Sequence, residues 1–421
     1  MHTELDEEQT LDGPQHEADP HAFYERMREE TPVRRVVFPG GLKVWLVTRY
    51  DDARAVLSDP RFSKDVENAR KAIKNSTTSN AGIAALAMEL VSHMLNSDPP
   101  DHTRLRGLVN KVFTARAVDR LKPGIETLAH QLLDTMADRP RADLMRDYAY
   151  PLPMGVLCEL LGVPLPDREQ VHHWAAAGNS NDPARVMQAL PSLLAYLREL
   201  IDEKRRAPGE DLLTDLVRTS DDSGGLTPQE LVSTTFLLMV AGHETTVNLI
   251  GNGTLALLRH PLQLEALRAD RSLMPAAIEE LLRYEGPVNT ASLRYTTEPV
   301  EIGDVLIPAH HTVAVALTSA NRDARQFPDP TRLDITRSTV GHVAFGHGIH
   351  YCVGARLARV EAEIAFTALL DRFPHLRPAC DPDHLPWHGT MFHGLRSLPV
   401  HLTSARFSED SGPHSPSRPH L

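Results

Sequence analysis

The sequence predicts a mainly α-helical protein with small β-sheets at one side. Helical periodicity recurs from residue 21 to about residue 284 and returns after residue 354. Short runs rich in β-branched residues occur around residues 33–50 and 293–317, where they predict strands. The chain has 421 residues, of which 41% are hydrophobic and 24% are charged. This composition is typical of a globular protein with a large core.

The elements follow in order along the chain. DPHAFYERMREE begins with Asp19 and Pro20, a typical helix start, and the β-rich runs of VRRVVFPGGLKVWLVTRY predict a hairpin around residues 39–41. YDDARAVLSD predicts a helix, whereas residues 64–95 are less regular. Helical periodicity resumes at HTRLRGLVNKVF. We expect a flexible acidic segment at 1–20, one continuous domain at 21–403 and a disordered tail at 404–421.

Composition excludes several classes of protein. The net charge of −12 argues against nucleic acid as the main partner. Cysteines occur only at positions 158, 352 and 380, too few and too scattered for a disulfide framework, which indicates a reducing cytoplasm. No apolar run reaches the ~18 residues of a membrane span, and the N-terminus lacks the apolar core of a signal peptide. We therefore expect a cytoplasmic monomer without a membrane anchor.

The clearest predicted helix is LTPQELVSTTFLLMVAGHETTVNLIGNGTLALLRHP. Thr227 is a suitable N-cap, Pro228 follows it, and Glu230 stands three residues after the cap. Pro261 marks the far end. Because residues 236–241 are apolar on every face, we expect the middle of this helix to be buried.

Polar residues interrupt this apolar stretch at GHETT, from Gly242 to Thr246. Buried carboxylates and hydroxyls cost free energy unless they have partners or a wet cavity. We expect the hydroxyl of Thr245 to bond back to the carbonyl of Ala241. Two interpretations are equally open: a functional polar break, or a harmless back-bond with Glu244 at the surface.

A second charged pair occurs in AAIEELLRYEGPV. Glu280 and Arg283 stand at positions i and i+3 of a predicted helix, where a guanidinium grips a carboxylate. A surface ion pair of little energetic value is the default interpretation of such spacing.

The segment FGHGIHYCVG surrounds Cys352 with glycines at positions 346, 348 and 354. These glycines allow tight turns and close approach of the backbone to a flat group. The amphipathic pattern of ARLARVEAEIAFTALLDRFP predicts a helix that begins directly after the segment. Cys352 therefore precedes a helix N-terminus, where backbone N–H groups favour a thiolate.

Four hypotheses remain open for Cys352. It is a buried structural thiol, a catalytic nucleophile with His350 as its base, a zinc ligand, or an axial thiolate ligand of haem iron. The zinc hypothesis needs His342, His347 and His350 as the other ligands. The haem hypothesis needs one cysteine, a backbone without bulky side chains beside the macrocycle, and cations for the propionate groups. The sequence supplies all three.

These segments together resemble the cytochromes P-450. FGHGIHYCVG resembles the cysteine-ligand loop of that family, Phe-x-x-Gly-x-x-x-Cys-x-Gly, at Phe345, Gly348, Cys352 and Gly354. AGHETT resembles the oxygen-binding helix motif, and EELLR resembles the Glu-x-x-Arg pair. PTRL resembles the partner segment of that pair, although Leu333 stands where an aromatic residue is usual. The motifs appear in family order and cover nearly the whole chain apart from the two ends.

The resemblance implies roles for individual residues. Cys352 is implied to ligate the iron, and Glu244 with Thr245 to form the acid–alcohol pair that activates oxygen. Arg332 is implied to complete the Glu280–Arg283 network. The residues implied to bind the cofactor are His102, Arg106, Ala241, Arg294, Phe345, Gly346, His350, Cys352 and Gly354. Four of them are implied to donate to the haem propionates: His102 and Arg106 in DPPDHTRLR, together with Arg294 and His350.

The resemblance also implies the fold and the activity. The fold is the triangular P-450 prism, in which haem b lies between the long helix and the cysteine loop. The activity is that of a monooxygenase, similar to soluble actinobacterial hydroxylases of macrolides and other secondary metabolites, including antibiotics. It hydroxylates or epoxidises a bulky lipophilic molecule with O₂ and two external electrons. The alternatives are a steroid, terpene or xenobiotic as substrate, or a non-catalytic haem-thiolate sensor.

Partners and the substrate pocket follow from the same resemblance. No flavin or iron–sulfur motif occurs, so the implied electron donors are a ferredoxin and a ferredoxin reductase. The family fold places Arg106, Lys111, Arg116, Arg356 and Arg359 near the cysteine face, although each is equally compatible with an ordinary solvated charge. The implied pocket segments are 83–95, 238–241, 288–291 and 391–393. Their candidates, for which core packing is the alternative, are Leu95, Leu238, Ala241, Val288, Asn289, Ala291, Met391 and Phe392.

Overall fold

A computed structural model describes residue 11 and residues 19–38, 41–74, 92–178, 183–221, 225–389 and 391–402. Nearly all of the expected flexible N-terminus, the C-terminal tail and residues 83–91 of the implied pocket lie outside the described residues, as do hairpin residues 39 and 40. The predicted mainly α-helical class with small sheets is confirmed. No described helix combines the length and the apolar composition that a membrane span requires.

The helices follow the periodicity of the sequence closely. They span His21–Glu30, Tyr50–Ser58, Val66–Lys74, Asp101–Val112, Ala115–Ala137, Pro151–Leu160, Arg168–Gly178, Pro183–Arg206, Leu212–Asp221, Pro228–Arg259, Pro261–Ala269, Met274–Tyr284, Leu317–Ala320 and Ala355–Arg372. A π-helical turn, Met145–Ala149, precedes Pro151–Leu160. Short 3₁₀ turns lie at Met94–Asn96, Leu165–Asp167, Arg271–Leu273, Gly348–His350 and Pro382–His384.

The strands form one larger sheet and three small ones. In chain order they are β1 (Val33–Phe38), β2 (Leu42–Val47), β3 (Phe62–Ser63), β4 (Arg141–Asp143), β5 (Arg294–Thr296), β6 (Val300–Ile302), β7 (Val305–Ile307), β8 (Thr312–Val315), β9 (Arg377–Pro378), β10 (Trp387–Gly389), β11 (His393–Leu395) and β12 (Pro399–His401). The larger sheet has the order β1-β2-β8-β5-β3. Strands β2 and β8 are parallel, whereas β1 and β2 form the predicted antiparallel hairpin.

One stretch expected to be irregular contains a helix. Val66–Lys74 begins where Oδ1 of Asp65 accepts the backbone N–H of Glu67, at 2.8 Å. Lys71 and Lys74 lie in its last turn, where positive charge favours the carbonyl end of a helix. The prediction for residues 66–74 was therefore wrong: Val66, Ala69 and Ile73 recur at helical spacing, and capping and charge stabilise the helix further.

The long helix, Pro228–Arg259, has 32 residues and occupies the centre of the molecule. The predicted capping box is present: Thr227 Oγ1 accepts the N–H of Glu230, whose carboxylate accepts the N–H of Thr227. Helices Pro151–Leu160, Pro183–Arg206, Met274–Tyr284 and Ala355–Arg372 pack against it.

The predicted burial of the middle of the long helix is only partly correct. Leu238 and Met239 are buried, but Leu237 is half-buried and Ala241 is exposed. The reason is a cavity beside the helix, which both Leu237 and Ala241 line.

Candidate active site

A large cavity lies between the long helix and the cysteine loop (residues 345–354). The space there that protein atoms leave unfilled, counting the solvent at its opening, is about 1330 Å³. The helix contributes Leu237, Leu238, Ala241, Gly242, Thr245 and Thr246, and the loop contributes Phe345, Gly346, His350, Tyr351, Cys352, Val353 and Gly354.

The cysteine loop needs glycine at two positions. Gly346 has φ +75° and Gly348 has φ +74°, conformations that other residues rarely adopt. A Cβ at Gly348 would also lie 2.7 Å from the backbone oxygen of Leu57. Gly354 has an ordinary φ of −83°, so it is not needed for this turn. Within the loop, the N–H of Cys352 donates to the carbonyl of Phe345 at 2.9 Å.

Cys352 opens onto the cavity, which leaves it accessible although protein surrounds it on nearly every side. Burial raises the pKa of its thiol, while the N–H groups of Gly354 and Ala355 and the charges of Arg106 and Arg359 act in the opposite direction. The predicted stabilisation of a thiolate is therefore present but smaller than the cost of desolvation. A cation bound to the sulfur removes that cost, so the site fits a metal ligand better than a free thiolate.

Four predicted cofactor-binding residues come together beside the loop. The rings of His102 and His350 meet edge to face, with centroids 4.4 Å apart. Arg294 is buried, and its closest hydrogen bonds, to the carbonyls of Leu57 and Ser292, are long at 3.4 Å. Burial lowers the pKa of Arg294 to about 10. Burial, followed by repulsion from nearby cations that include Arg106, lowers the pKa of His350 to about 2.

The sequence analysis did not identify two further basic residues near this group, Lys64 and His93. Lys64 is buried, and its Nζ donates to Ser292 Oγ at 2.6 Å and to the carbonyl of Leu293 at 3.1 Å. Burial and then the charge of Arg294 lower the pKa of Lys64 well below its ordinary value. Burial lowers the pKa of His93 to about 4. Both lie in the stretch predicted to be irregular, so no local pattern marked them.

This basic cluster (Lys64, His102, Arg106, Arg294 and His350) fits an anionic ligand. Among the described residues, Asp98 is the one carboxylate whose charge acts on Lys64 and Arg294. Nε2 of His102 is buried and has no hydrogen-bond partner among the described residues. Buried cations without enough counter-charge are costly, so the cluster favours a ligand that carries carboxylates, as haem does.

Thr245 and Glu244 occupy different sides of the long helix. The hydroxyl of Thr245 donates to the carbonyl of Ala241 at 2.9 Å, as predicted, and Thr245 lines the cavity. Glu244 does not line the cavity, and its side chain is 12% exposed. Its Oε1 lies 3.5 Å from Nε2 of His388. Glu244 is therefore neither at the surface nor at the cavity wall, and burial raises its pKa.

Glu361 is a second acid that the sequence analysis missed. It lies in Ala355–Arg372, lines the cavity and is almost fully buried. Its Oε2 has no hydrogen-bond partner within the part of the chain that the structure describes. Burial raises the pKa of Glu361 well above its ordinary value. Its position beside the apolar stripe of this helix was the signal that could have identified it.

The zinc hypothesis is wrong. His342 donates to or accepts from Glu279 at 2.9 Å, His347 lies 3.5 Å from Arg54, and His350 packs on His102. None of these rings converges on Cys352. Among the described residues, the one group of histidine and acidic side chains close enough to share a metal lies elsewhere, at His21, Glu285 and His393. The nucleophile hypothesis is not supported either, because the ring of His350 packs on that of His102 and, among the described residues, makes no hydrogen bond to the thiol of Cys352.

Glu280 and Arg283 form a buried pair, which corrects the default interpretation of a surface ion pair. Both side chains are 0% exposed, and two hydrogen bonds of 2.7 and 2.8 Å join them. Arg332 contributes only its carbonyl to this network, at 3.4 Å from Arg283, and its side chain is exposed. Arg337 instead approaches the carboxylate, with Nε 3.1 Å from Oε1 of Glu280.

The cations expected at the cysteine face divide into two groups. Arg106 lines the cavity, Arg356 binds Asp119 at 3.0 Å, and Arg359 binds Glu279 while it covers the ring of Phe345. Arg106 and Arg359 are half-buried, and Arg356, although exposed, is held in its ion pair with Asp119. Lys111 and Arg116 are exposed.

The implied pocket residues also divide. Leu95, Leu238, Ala241, Val288 and Ala291 line the cavity. Asn289, Met391 and Phe392 do not line the cavity, which corrects the prediction for these three residues. Asn289 is buried, and its side-chain oxygen accepts the hydroxyl of Thr318. The carbonyl of Met391 accepts backbone N–H groups, and Phe392 forms a β-bridge with Val288. An extended segment turns alternate residues away from the cavity.

Comparison with known proteins agrees with this geometry. A sequence profile of the family described as Cytochrome P450 matches residues 184–394. The chain is 51% identical over 394 residues to the cytochrome P450 monooxygenase PikC of Streptomyces venezuelae, covering 92% of each protein. It is 42% identical over 398 residues to 6-deoxyerythronolide B hydroxylase of Saccharopolyspora erythraea, covering 93% of this chain and 98% of that one. The solved structure of the tirandamycin C-bound P450 monooxygenase TamI matches with a TM-score of 0.87 and 47% identity, covering 94% of this chain and 100% of that one.

Fold, cavity and relatives together define a haem-dependent monooxygenase. The resemblance drawn from the sequence motifs is confirmed, and so is the predicted fold. The chain belongs to the cytochrome P450 family. Its cofactor is haem b, for which the buried basic cluster and the cysteine loop are suited.

Proposed function

We propose that this monooxygenase hydroxylates or epoxidises a bulky lipophilic small molecule of polyketide type, in secondary metabolism. The observation that carries the proposal is the cavity with Cys352 on one wall and Thr245 on the long helix. Its lining is mainly apolar, including Leu95, Val288 and Ala291. Apolar walls with a few polar groups are typical of sites for lipophilic ligands.

Relatives support this substrate class. One is named for its hydroxylation of 6-deoxyerythronolide B, and another was solved with tirandamycin C bound. The mainly apolar cavity of this chain suits comparably large molecules.

Residue roles in cofactor binding follow from the site. We assign Cys352 as the axial ligand of the iron, and the basic cluster as the donors to the two propionate groups. Phe345, Gly346 and Gly354 lie around the sulfur and line the cavity with it, and Ala241 faces them from the long helix. When bound, haem b supplies the activation of O₂ with two electrons.

Proton delivery is assigned to the polar break in the long helix. The hydroxyl of Thr245 lies at the cavity wall, where it hydrogen-bonds oxygen in place of the carbonyl of Ala241. Burial raises the pKa of Glu244, which favours its protonated form relative to an exposed carboxyl. Acids whose pKa approaches the working pH are efficient proton donors.

Electrons reach the site from a ferredoxin and its reductase. Lys111 and Arg116 are exposed cations, and Ile349 in the cysteine loop is 51% exposed. Exposed cations suit the docking of an acidic electron carrier. We further propose that residues 21–403 act as one domain in a cytoplasmic monomer, which size-exclusion chromatography tests.

Spectroscopy and product analysis test the function. The dithionite-reduced protein should show a strongly red-shifted Soret band with carbon monoxide. Candidate polyketides should then shift the ferric Soret band, and mass spectrometry with ferredoxin and reductase should detect a product heavier by one oxygen atom. A colourless protein refutes the monooxygenase assignment. If the protein binds haem and its ferric Soret band shifts with fatty acids or steroids but with no polyketide, the proposed substrate class is refuted. Binding without product in the reconstituted system favours the sensor alternative.

A further inference from the structure

Glu244 lies on the side of the long helix that faces the C-terminal hairpin (β10 and β11). Thr245, the next residue, lines the cavity, whereas Glu244 points toward His388 in β10. Consecutive helical residues are ~100° apart around the axis, which explains the divergence. The acid therefore has to change its side-chain conformation to reach the cavity.

The hairpin approaches the helix closely at this point. His388 pairs with Gly394 across the hairpin, so the two residues share one face. A Cβ at Gly394 would overlap the side chain of Asn248. Asn248 stands four residues after Glu244, on the same face of the helix. Glycine at position 394 thus allows the contact that brings His388 to Glu244.

The polar atoms between these elements are poorly paired. Nε2 of His388 and both side-chain polar atoms of Asn248 are buried and lack a well-formed hydrogen bond among the described residues. Nε2 of His388 lies 3.5 Å from Oε1 of Glu244, and the ring of His388 is 19% exposed. A small rotation of either side chain converts this contact into a hydrogen bond.

Burial disfavours the charged form of both partners. Burial raises the pKa of Glu244, against an opposing effect of the Asn248 amide. Burial, with the charges of Arg396 and His393, lowers the pKa of His388 to about 4. Tyr150 also faces Glu244, and burial together with that carboxylate raises its pKa to about 12. A neutral carboxyl donates through its O–H and a neutral imidazole nitrogen accepts, so the two groups are complementary.

We propose that His388 is a positioning residue: its Nε2 accepts a hydrogen bond from the carboxyl of Glu244 and holds this acid outside the cavity. The acid delivers its proton after the bond breaks and the side chain turns inward. His388 thereby limits proton delivery from Glu244 to the cavity before this hydrogen bond breaks. This inference rests on the proposed role of Glu244 in proton delivery.

Nitrogen NMR tests the hydrogen bond directly. In the ferrous carbon-monoxide-bound holoenzyme, which is diamagnetic, ¹⁵Nε2 of His388 should resonate as an unprotonated nitrogen that accepts a hydrogen bond. Glu244→Leu should move this resonance toward the value of a free acceptor nitrogen. A protonated Nε2, or a resonance that Glu244→Leu leaves in place, overturns the proposal, whether or not the protein turns over a polyketide.

Variants of His388 test its effect on catalysis. His388→Leu should lower the product formed per NADPH by roughly tenfold, with hydrogen peroxide accounting for the loss, because misplacing one group commonly costs this much or more. His388→Gln, which retains an acceptor, should restore most of the coupling. His384→Leu, at an exposed histidine in the same segment, is the matched control. If His388→Leu forms as much product per NADPH as wild type and has the same pH profile of activity, the proposal is overturned. If that variant loses haem, His388→Gln and the NMR result decide.

Discussion

Nε of Arg337 lies 3.1 Å from Oε1 of Glu280, a carboxylate that is wholly buried beneath it. The same guanidinium donates to the carbonyls of Asp329 and Arg332, at 3.0 and 2.8 Å. Arg337 therefore joins the buried Glu280–Arg283 pair to the loop that the PTRL motif belongs to. This is the structural role that the family motif assigned to Arg332.

Replacement of Arg337 should destabilise the protein more than replacement of Arg332. Arg337→Ala removes a cation beside the buried carboxylate of Glu280 and the hydrogen bonds to the carbonyls of Asp329 and Arg332, which should cost roughly 1–3 kcal/mol of unfolding free energy. Arg332→Ala removes an exposed side chain and should change that free energy by no more than about 0.5 kcal/mol. Urea denaturation of the two holo-variants measures both effects. A larger loss in Arg332→Ala would contradict the assignment.

Loss of the Thr245 hydroxyl should uncouple oxygen reduction from product formation. Thr245→Ala should retain haem and the red-shifted carbon-monoxide band, but release most reducing equivalents as hydrogen peroxide, since one donor at a reacting oxygen is worth roughly 10²–10³ in rate. Thr254→Ala is the control, because Thr254 makes the same back-bond, to Ile250 at 2.7 Å, away from the cavity. Unchanged coupling in Thr245→Ala argues against the role of this residue.

The glycine at position 348 should tolerate no side chain. Gly348→Ala introduces a Cβ against the oxygen of Leu57 at a φ of +74°, and should destabilise the cysteine loop and weaken haem retention. Gly107→Ala is a matched control, because Gly107 is an exposed helical glycine with open space around it. That change should stabilise the protein by roughly 0.5–1 kcal/mol. Thermal unfolding and haem content check both variants.

Neutralising Lys64 should weaken cofactor binding without unfolding the chain. Lys64→Met removes one buried basic side chain from the basic cluster. Haem should therefore transfer from this variant to apomyoglobin several times faster than it does from the wild-type protein. Lys71→Met is the control, since Lys71 is exposed in the last turn of the short helix that follows Lys64. Equal transfer rates in the two variants are the result that removes Lys64 from the haem site.

Acidification should destabilise the protein partly through His243. Burial lowers the pKa of His243 from 6.5 to about 4, so between these values the unfolded chain binds a proton that the folded protein does not. Stability conferred by the neutral ring is therefore present above pH 6.5 and declines as pH falls toward 4, by ~2 kcal/mol at pH 5. His243→Leu should show a smaller loss of melting temperature between pH 7 and pH 5, whereas His384→Leu should match wild type.

Local patterns in the sequence predicted most of the helices, and they located the long helix and the cysteine loop that line the cavity. Periodicity located the long helix because its 3.6-residue repeat and its capping residues are close together in the chain. The spacing of Phe345, Gly348 and Cys352 identified the cysteine loop for the same reason. Back-bonding of Thr245 to Ala241 depends only on one helical turn, and it is present as predicted.

The tertiary structure determined everything that depends on residues far apart in the chain. It brought Lys64 to Arg294, replaced Arg332 with Arg337 beside Glu280, and turned Glu244 away from the cavity toward His388. It also showed that the middle of the long helix is open to a cavity rather than packed. The reason is that burial and charge–charge contacts are set by how elements pack, which no periodicity within one segment specifies.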